Sequence, residues 1–180
     1  MQRELMGVTL MECLISLAIM AILSVLAVPS FRDLLARRTV LVTAEALVDD
    51  LRFARTEALK RGGQVSVCSS TDGLDCSQSA VWLEGWIVFV DGGNTAVVDG
   101  SDEILRVQTR QLGMASIESD NPANDKNSFS FRPTGMASPA SQSFKFTPTA
   151  PVPANSQRWV CMSSQGRPRL ALAGATSCSS

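Results

Sequence analysis

The sequence lacks histidine altogether and carries almost no net charge. Its 180 residues contain 16 Lys and Arg against 17 Asp and Glu, for a formal net charge of −1. Without an imidazole there is no histidine for a catalytic triad, a zinc site or a pH switch near neutrality. The balanced charge also excludes a uniformly basic nucleic-acid-binding protein and an acidic disordered tail.

Acidic residues are missing from the last third of the chain. Residues 62–125 hold ten acidic and two basic side chains, a net charge of −8, whereas residues 8–61 carry a net charge of +1. Residues 126–180 hold no acid and six basic residues: Lys126, Arg132, Lys145, Arg158, Arg167 and Arg169. The chain therefore has an acidic middle and a purely cationic end.

Sequence motifs of the common enzyme classes are also missing. The chain has no Walker A sequence, no GxSxG motif and no dinucleotide-binding fingerprint. A nucleophilic Ser or Cys has no histidine to serve as its base. The acids of the middle region show no paired arrangement. We therefore expect that the protein is not an enzyme.

The N-terminal part contains a long apolar segment. From Val8 to Phe31 the only charged residue is Glu12. A helix of this length reaches about 36 Å, enough to cross the ~30 Å hydrocarbon core of a bilayer. A cleaved secretory signal peptide is the alternative. The short and neutral leading region, the position of Glu12 inside the apolar run and the absence of a small-residue cleavage site argue against it.

Residues 31–61 continue as a predicted amphipathic helix. Apolar residues recur there at spacings of three, four or seven, which is typical of one helix face. They are Leu34, Leu41, Ala44, Leu47, Leu51, Ala54 and Ala58. Charged residues, including Asp50 and Glu57, occupy the other faces, and Gly62 with Gly63 ends the helix. We predict one long rod, its first half in the membrane and its second half laid on a domain.

The sequence after residue 63 predicts short strands separated by turns. Runs rich in Val, Ile, Phe and Trp are bounded by Gly, Pro, Asn, Asp and Ser. The predicted strands are residues 64–69, 85–90, 103–108, 128–132, 142–147 and 157–163. A long helix followed by antiparallel strands gives an α+β fold, with the helix covering one sheet face.

Four cysteines lie outside the apolar segment, and they allow three pairings. Cys68–Cys76 would close a short loop, and Cys161–Cys178 would close an 18-residue loop near the C-terminus. The longer closure is worth about 3 kcal/mol on a chain-entropy estimate. We predict these two disulfides, which require an oxidising compartment. A structural zinc site is disfavoured by the cysteine spacings and the lack of histidine.

An acidic segment runs from Asp91 to Glu103 and includes Asp99 and Asp102. Its oxygen ligands make it a candidate calcium loop, although its spacing does not match an EF-hand. The alternative is a solvated acidic hairpin turn, because Asp, Asn and Gly are good turn formers. We expect no other cofactor or metal.

The start of the chain resembles the class III signal of type IV pilins and type II secretion pseudopilins. The resemblance rests on a short leader ending at Gly7, four largely apolar residues from Val8, and Glu12. It implies that a prepilin peptidase cleaves after Gly7 and methylates the amine of Val8, although the family usually has Phe there. It also implies that Glu12 pairs with the N-terminal amine of a neighbouring subunit; the alternative is a Glu12 that snorkels to the interface.

This resemblance implies three parts: a leader (residues 1–7), a transmembrane and assembly helix (8–31), and a periplasmic globular domain (32–180). The N-terminus would face the cytoplasm, with a single pass through the bacterial inner membrane. The arginines that follow the span favour the opposite orientation on charge count alone. We give the cleavage motif and the cysteines more weight.

Three later segments resemble the GspH/FimT family of minor pilins: residues 85–91, residues 131–135, and residues 158–161 followed by 166–169. The last of these, Gly166-Arg167-Pro168-Arg169 (the GRPR segment), is similar to the GRxR motif of FimT-type pilins, which are implicated in DNA binding during natural transformation. Two arginines on a Pro-stiffened loop can reach successive phosphates without reading sequence.

The GRPR segment allows three interpretations: a DNA contact, a docking site for another acidic pilin subunit, or an ordinary surface turn. The first indicates a minor pilin of a type IV pilus whose partners include other pilin subunits and DNA. The alternative function is a GspH-type pseudopilin of type II secretion that does not bind DNA. We expect Trp86, Phe89 and Phe131 of the matching segments to be core residues.

Overall fold

The computed structural model describes residues 8–77, 79–100, 102–119, 127–139, 142–149, 156–163 and 165–178, except the side chain of Leu26. The predicted leader, including Gly7, lies outside these residues. Within the described ranges a long helix precedes nine short strands. They are α1 (Leu10–Arg61), β1 (Val65–Ser69), β2 (Trp86–Val90), β3 (Ile104–Gln108), β4 (Met114–Ser119), β5 (Ser128–Phe131), β6 (Ala137–Ser138), β7 (Ser143–Pro148), β8 (Arg158–Met162) and β9 (Pro168–Leu170).

Helix α1 is continuous through Pro29 and ends at the predicted glycine. Gly62 has a φ of +63°, the left-handed conformation that commonly terminates helices. Lys60 and Arg61 in the last turn complement the negative end of the helix dipole. The first part of the helix is long and apolar enough to cross a membrane, with a mean hydropathy of 2.4 over its most apolar stretch.

The chain divides into two compact units between Leu35 and Ala36. In the first unit the described apolar side chains of α1 are exposed. In the second unit the rest of α1 belongs to a folded domain with its own core.

Strands form two antiparallel sheets, which confirms the predicted α+β fold. The first has the order β3-β2-β1-β5-β6 and the second the order β4-β7-β8-β9. All six predicted strands are found, with ends displaced by no more than one residue. Strands β4, β6 and β9 were not predicted from the sequence, and neither was the division of the strands between two sheets.

The core lies between α1 and the two sheets. Val40, Ala44, Leu47, Leu51 and Ala54 of the helix are fully buried in one cluster with residues of both sheets. Trp86 and Phe131 of this cluster are fully buried, as predicted, and so is Phe89, which lies in a second cluster with Cys68 and Ile87.

Three aromatic rings connect the two sheets. Trp82 comes from a 3₁₀ turn (Trp82–Glu84), Phe129 from the first sheet and Phe144 from the second. The ring centroids lie 5.9 Å apart for Trp82 and Phe129, 5.0 Å for Trp82 and Phe144, and 5.3 Å for Phe129 and Phe144. Tilted and edge-on contacts at these distances are favourable for aromatic pairs.

Two charged residues of α1 are buried, although the helical pattern placed them on faces away from the apolar stripe. Asp50 is 1% exposed and Glu57 is 8% exposed. Asp50 accepts hydrogen bonds from Trp86 Nε1 at 2.9 Å and from Arg106 Nη1 at 2.8 Å. The guanidinium of Arg106 also stacks over the ring of Phe53, 3.7 Å from its centroid. Asp50 is buried because these partners replace the water it loses.

Candidate functional site

The GRPR segment begins as a tight turn between β8 and β9. Gly166 N–H donates to Ser163 O at 2.9 Å, and Arg167 N–H donates to Ser163 Oγ at 3.1 Å. Gly166 has a φ of +71°, which suits glycine. The turn leaves the Arg167 side chain exposed.

Only the first half of the segment is a loop, which corrects the sequence prediction. Pro168 and Arg169 belong to β9, an edge strand that pairs with β8 alone. Proline is tolerated at the first position of an edge strand because no backbone N–H has to donate a hydrogen bond to the neighbouring strand there. Pro168 is buried, whereas Arg167 and Arg169 on either side of it are exposed.

Gly166 is seated on a second glycine turn. A Cβ on Gly166 would lie 2.6 Å from the carbonyl oxygen of Gly135 and 2.9 Å from the amide nitrogen of Ala137. Gly135, at φ +77°, accepts a hydrogen bond from Arg55 Nε at 2.9 Å. Two segments that carry the family resemblance therefore meet through close backbone contacts, and the Arg55 side chain of helix α1 is bonded to one of them.

A cationic groove of about 420 Å³ lies beside this contact. It is lined by Arg52, Arg55, Thr56, Leu59, Arg167 and Pro168. None of these described lining residues is acidic. Beside the groove, the Asp49 carboxylate is 3.6 Å from Arg52 Nη1 in an ion pair with both side chains exposed. The arrangement is suited to an anion with several phosphates or carboxylates.

Arg52 and Arg55 were missed as functional candidates. Their i, i+3 spacing, with Thr56 and Leu59 further along, predicts a shared helix face. The proximity of that face to Arg167 depends on the tertiary contact between Gly135 and Gly166. No local sequence pattern predicts this contact.

Arg169 is tied to the C-terminal segment. Its Nη2 donates to the carbonyl oxygen of Cys178 at 2.7 Å. Cys178 forms a disulfide with Cys161, the residue that pairs with Arg169 across β8 and β9. The disulfide thus fixes the segment that Arg169 contacts, and the Arg169 residue is exposed.

The second disulfide joins Cys68 and Cys76, with Cα atoms 5.5 Å apart. Within its loop the backbone N–H groups of Leu74 and Asp75 donate to the Asp72 carboxylate at 2.9 and 3.1 Å. These hydrogen bonds hold the pKa of Asp72 below its usual range. The loop is therefore held by its own hydrogen bonds as well as by the disulfide.

Glu12 lies at the start of α1. Its carboxylate accepts the N–H of Thr9 at 3.1 Å, and its own N–H donates to Thr9 Oγ1 at 3.3 Å. This reciprocal pair is a capping box, a local signal that sequence analysis did not use. Val8 is 74% exposed. Both residues therefore lie at the start of the helix, and their role in processing and assembly stays a prediction.

Carboxylates of the acidic segment are engaged by their own loop. Asp99 accepts the N–H of Asn94, and Asp102 accepts the N–H groups of Gly92 and Asp99. Among the described residues, which omit Ser101, no group of three acids or cysteines is arranged to hold a metal ion.

The two ends of the acidic segment are committed to contacts with other elements. Asp91 is buried, which departs from the solvated turn considered above, and it accepts hydrogen bonds from Ser66 Oγ and Ala96 N–H. Arg61 bridges Glu103 and Glu57, with N–O distances of 2.6 and 2.8 Å. Hydrogen bonds from Arg61 and then Lys60 hold the pKa of Glu57 below its ordinary value.

Comparison with known proteins identifies a matching family and similar solved structures. The family model described as Type II transport protein GspH matches residues 43–166. The type IV minor pilin FimU of Pseudomonas aeruginosa (strain PAO1) is similar in structure, with 18% identity and a TM-score of 0.60 over 79% of this chain and 96% of that one. The minor pseudopilin EpsH from the Type 2 Secretion System of Vibrio cholerae is similar as well, with 15% identity and a TM-score of 0.52 over 76% and 98% of the two chains. No curated protein sequence matches the chain.

Proposed function

The chain belongs to the GspH family of minor pilins and pseudopilins, which are structural subunits and not enzymes, and we propose that it is a minor pilin of a type IV pilus whose GRPR segment contacts DNA. Membership of the family implies assembly with other pilin subunits. The DNA contact is the step beyond the family.

The observation that carries the proposal is the exposed Arg167 on a groove whose described lining holds two more arginines and no acid. Arg169, on the adjoining edge strand, is also exposed. Guanidinium groups bind phosphate through paired hydrogen bonds. Because the contact is made to the backbone of DNA, it is independent of base sequence and weakens with salt.

Membrane insertion and processing complete the proposal. Residues 8–31 anchor the protein in the bacterial inner membrane by a single pass, and residues 32–180 lie in the periplasm, where the disulfides are stable. Prepilin peptidase removes residues 1–7. Supporting features are the exposed apolar first unit and the position of Glu12 at the helix entrance.

Processing predicts a defined N-terminus. Mass spectrometry of the protein isolated from its membrane is expected to show a chain that begins with N-methylated Val8. The same measurement on a Gly7→Val variant is expected to show the uncut leader, because a branched side chain then replaces the glycine that precedes the proposed cut. An N-terminus elsewhere in the wild-type protein contradicts the pilin processing.

Loss of the two exposed arginines is expected to weaken DNA binding. The full chain in a neutral detergent is titrated with a labelled DNA duplex of mixed sequence at several salt concentrations. In the Arg167→Ala, Arg169→Ala double variant the slope of log K against log salt is expected to fall by about 1.8, or 0.9 for each lost phosphate contact. Arg110→Gln, an exposed arginine paired with Glu84, is the control. An unchanged slope in the double variant refutes the assignment.

A pseudopilin of type II secretion is the second candidate. The family description and the similar fold of EpsH favour it. The two candidates share anchor and fold, and they differ in the ligand of the groove. A wild-type protein that shows no affinity for DNA at low salt, together with cross-links to secretion pseudopilins in the cell, is the result expected for this alternative.

A further inference from the structure

We propose that Arg52 and Arg55 of α1 bind DNA phosphates together with Arg167, so that the interface is the whole groove and not the GRPR segment alone. This inference rests on the proposed DNA contact and adds two residues from a distant part of the chain. It also predicts which neighbouring acid limits the affinity.

Arg55 is held in place before any ligand arrives. Its Nε donates to Gly135 O at 2.9 Å, and the position of a Cβ on Gly135 would be 3.2 Å from the same nitrogen. The side chain is part-buried, which limits its conformational freedom. A guanidinium fixed through Nε can present its terminal N–H groups to a phosphate with less loss of entropy than a free side chain.

Arg52 lies one helical turn before Arg55 on the same side of α1. Its side chain is 60% exposed, and its described ion pair, with Asp49, is long and also exposed. Such surface pairs contribute little. A phosphate in the groove can therefore replace Asp49 as the partner of Arg52.

The remaining lining matches a backbone contact. Thr56 contributes a hydroxyl, whereas Leu59 and Pro168 contribute apolar surface. The described lining offers no acid or amide side chain; its polar groups are arginine and threonine, which bind phosphate as well as base edges. Three arginines around one groove fit the repeated charges of a phosphodiester chain better than a single small anion.

Binding measurements with single variants test the inference. The full chain in a neutral detergent is titrated with a labelled mixed-sequence duplex at several salt concentrations. Arg52→Gln and Arg55→Gln are each expected to raise Kd about two- to fivefold, in line with exposed charge pairs. Each is also expected to lower the salt slope by about 0.9. Arg110→Gln carries the same change of charge outside the groove and is expected to leave both quantities unchanged.

A gain of affinity provides a second test. Asp49→Asn removes the acid that competes for Arg52 and is expected to lower Kd about twofold. This change is lost in the Asp49→Asn, Arg52→Gln double variant if Asp49 acts through Arg52. Thermal unfolding of every variant is measured in parallel. If Arg55→Gln proves unstable, the exposed positions 49 and 52 decide the outcome.

The possible results separate this inference from the proposed function. Wild-type protein that does not bind DNA overturns both. Binding that weakens in Arg167→Gln but is unchanged in Arg52→Gln and Arg55→Gln overturns the groove and leaves the GRPR contact intact. Variants at Arg52 that alter self-association without altering DNA binding identify a subunit-docking surface and overturn the inference as well.

Discussion

Replacing Trp82 by alanine is expected to reduce the free energy of unfolding by about 3–5 kcal/mol, the usual range for a large aromatic residue in a core. Trp82 is fully buried. Its ring contacts Phe129 of the first sheet and Phe144 of the second. The truncation leaves a cavity at the junction of the two sheets, and it removes both aromatic contacts.

Urea unfolding of the full chain in a neutral detergent, followed by far-UV circular dichroism, measures this loss. Leu112→Ala is the control, because Leu112 is 80% exposed and surface changes usually stay within about 0.5 kcal/mol. A Trp82→Ala variant as stable as the control would show that the sheets are not held together through this side chain.

Asp50→Ala is expected to lower stability by about 2–4 kcal/mol. The substitution leaves the buried indole N–H of Trp86 without its acceptor, which alone costs about 1–3 kcal/mol. It also removes the carboxylate that pairs with Arg106. Breaking a fully buried ion pair costs about 3–5 kcal/mol. The loss is smaller here because the Arg106 side chain is 42% exposed and can be hydrated once its partner is removed.

Asp49 provides a matched control for this prediction, since it is the adjacent aspartate on the same helix. Its side chain is 68% exposed, so Asp49→Ala is expected to change stability by less than about 0.5 kcal/mol. The Arg106→Gln variant, alone and combined with Asp50→Ala, closes a double-mutant cycle. Additive effects in that cycle would refute a coupled Asp50–Arg106 pair.

The strands could be predicted to within a residue because each is an apolar run between turn formers. Strands β4, β6 and β9 escaped because they lack such runs: β4 mixes Ser and Glu with apolar residues, β6 has two residues, and β9 starts with Pro168. Their pairing comes from neighbouring strands and not from their own composition.

Burial of Asp50 could not be predicted for a similar reason. Its partners Trp86 and Arg106 are 36 and 56 residues away in sequence, and periodicity describes only the helix itself. The groove also depends on contacts between residues that are far apart in sequence. Arg167 could be identified from the family resemblance, and the shared face of Arg52 and Arg55 from their spacing, but the contact that brings them together involves glycine backbone.

The contact between Gly135 and Gly166 separates what holds the surface in shape from what gives it charge. Main-chain atoms and the absence of two Cβ atoms set the geometry, whereas exposed side chains at positions 52 and 167 supply the cations. Replacement of those side chains leaves the underlying frame unchanged. A lineage of subunits with this frame can therefore gain or lose affinity for polyanions through a few surface substitutions, while the two glycines tolerate almost no change.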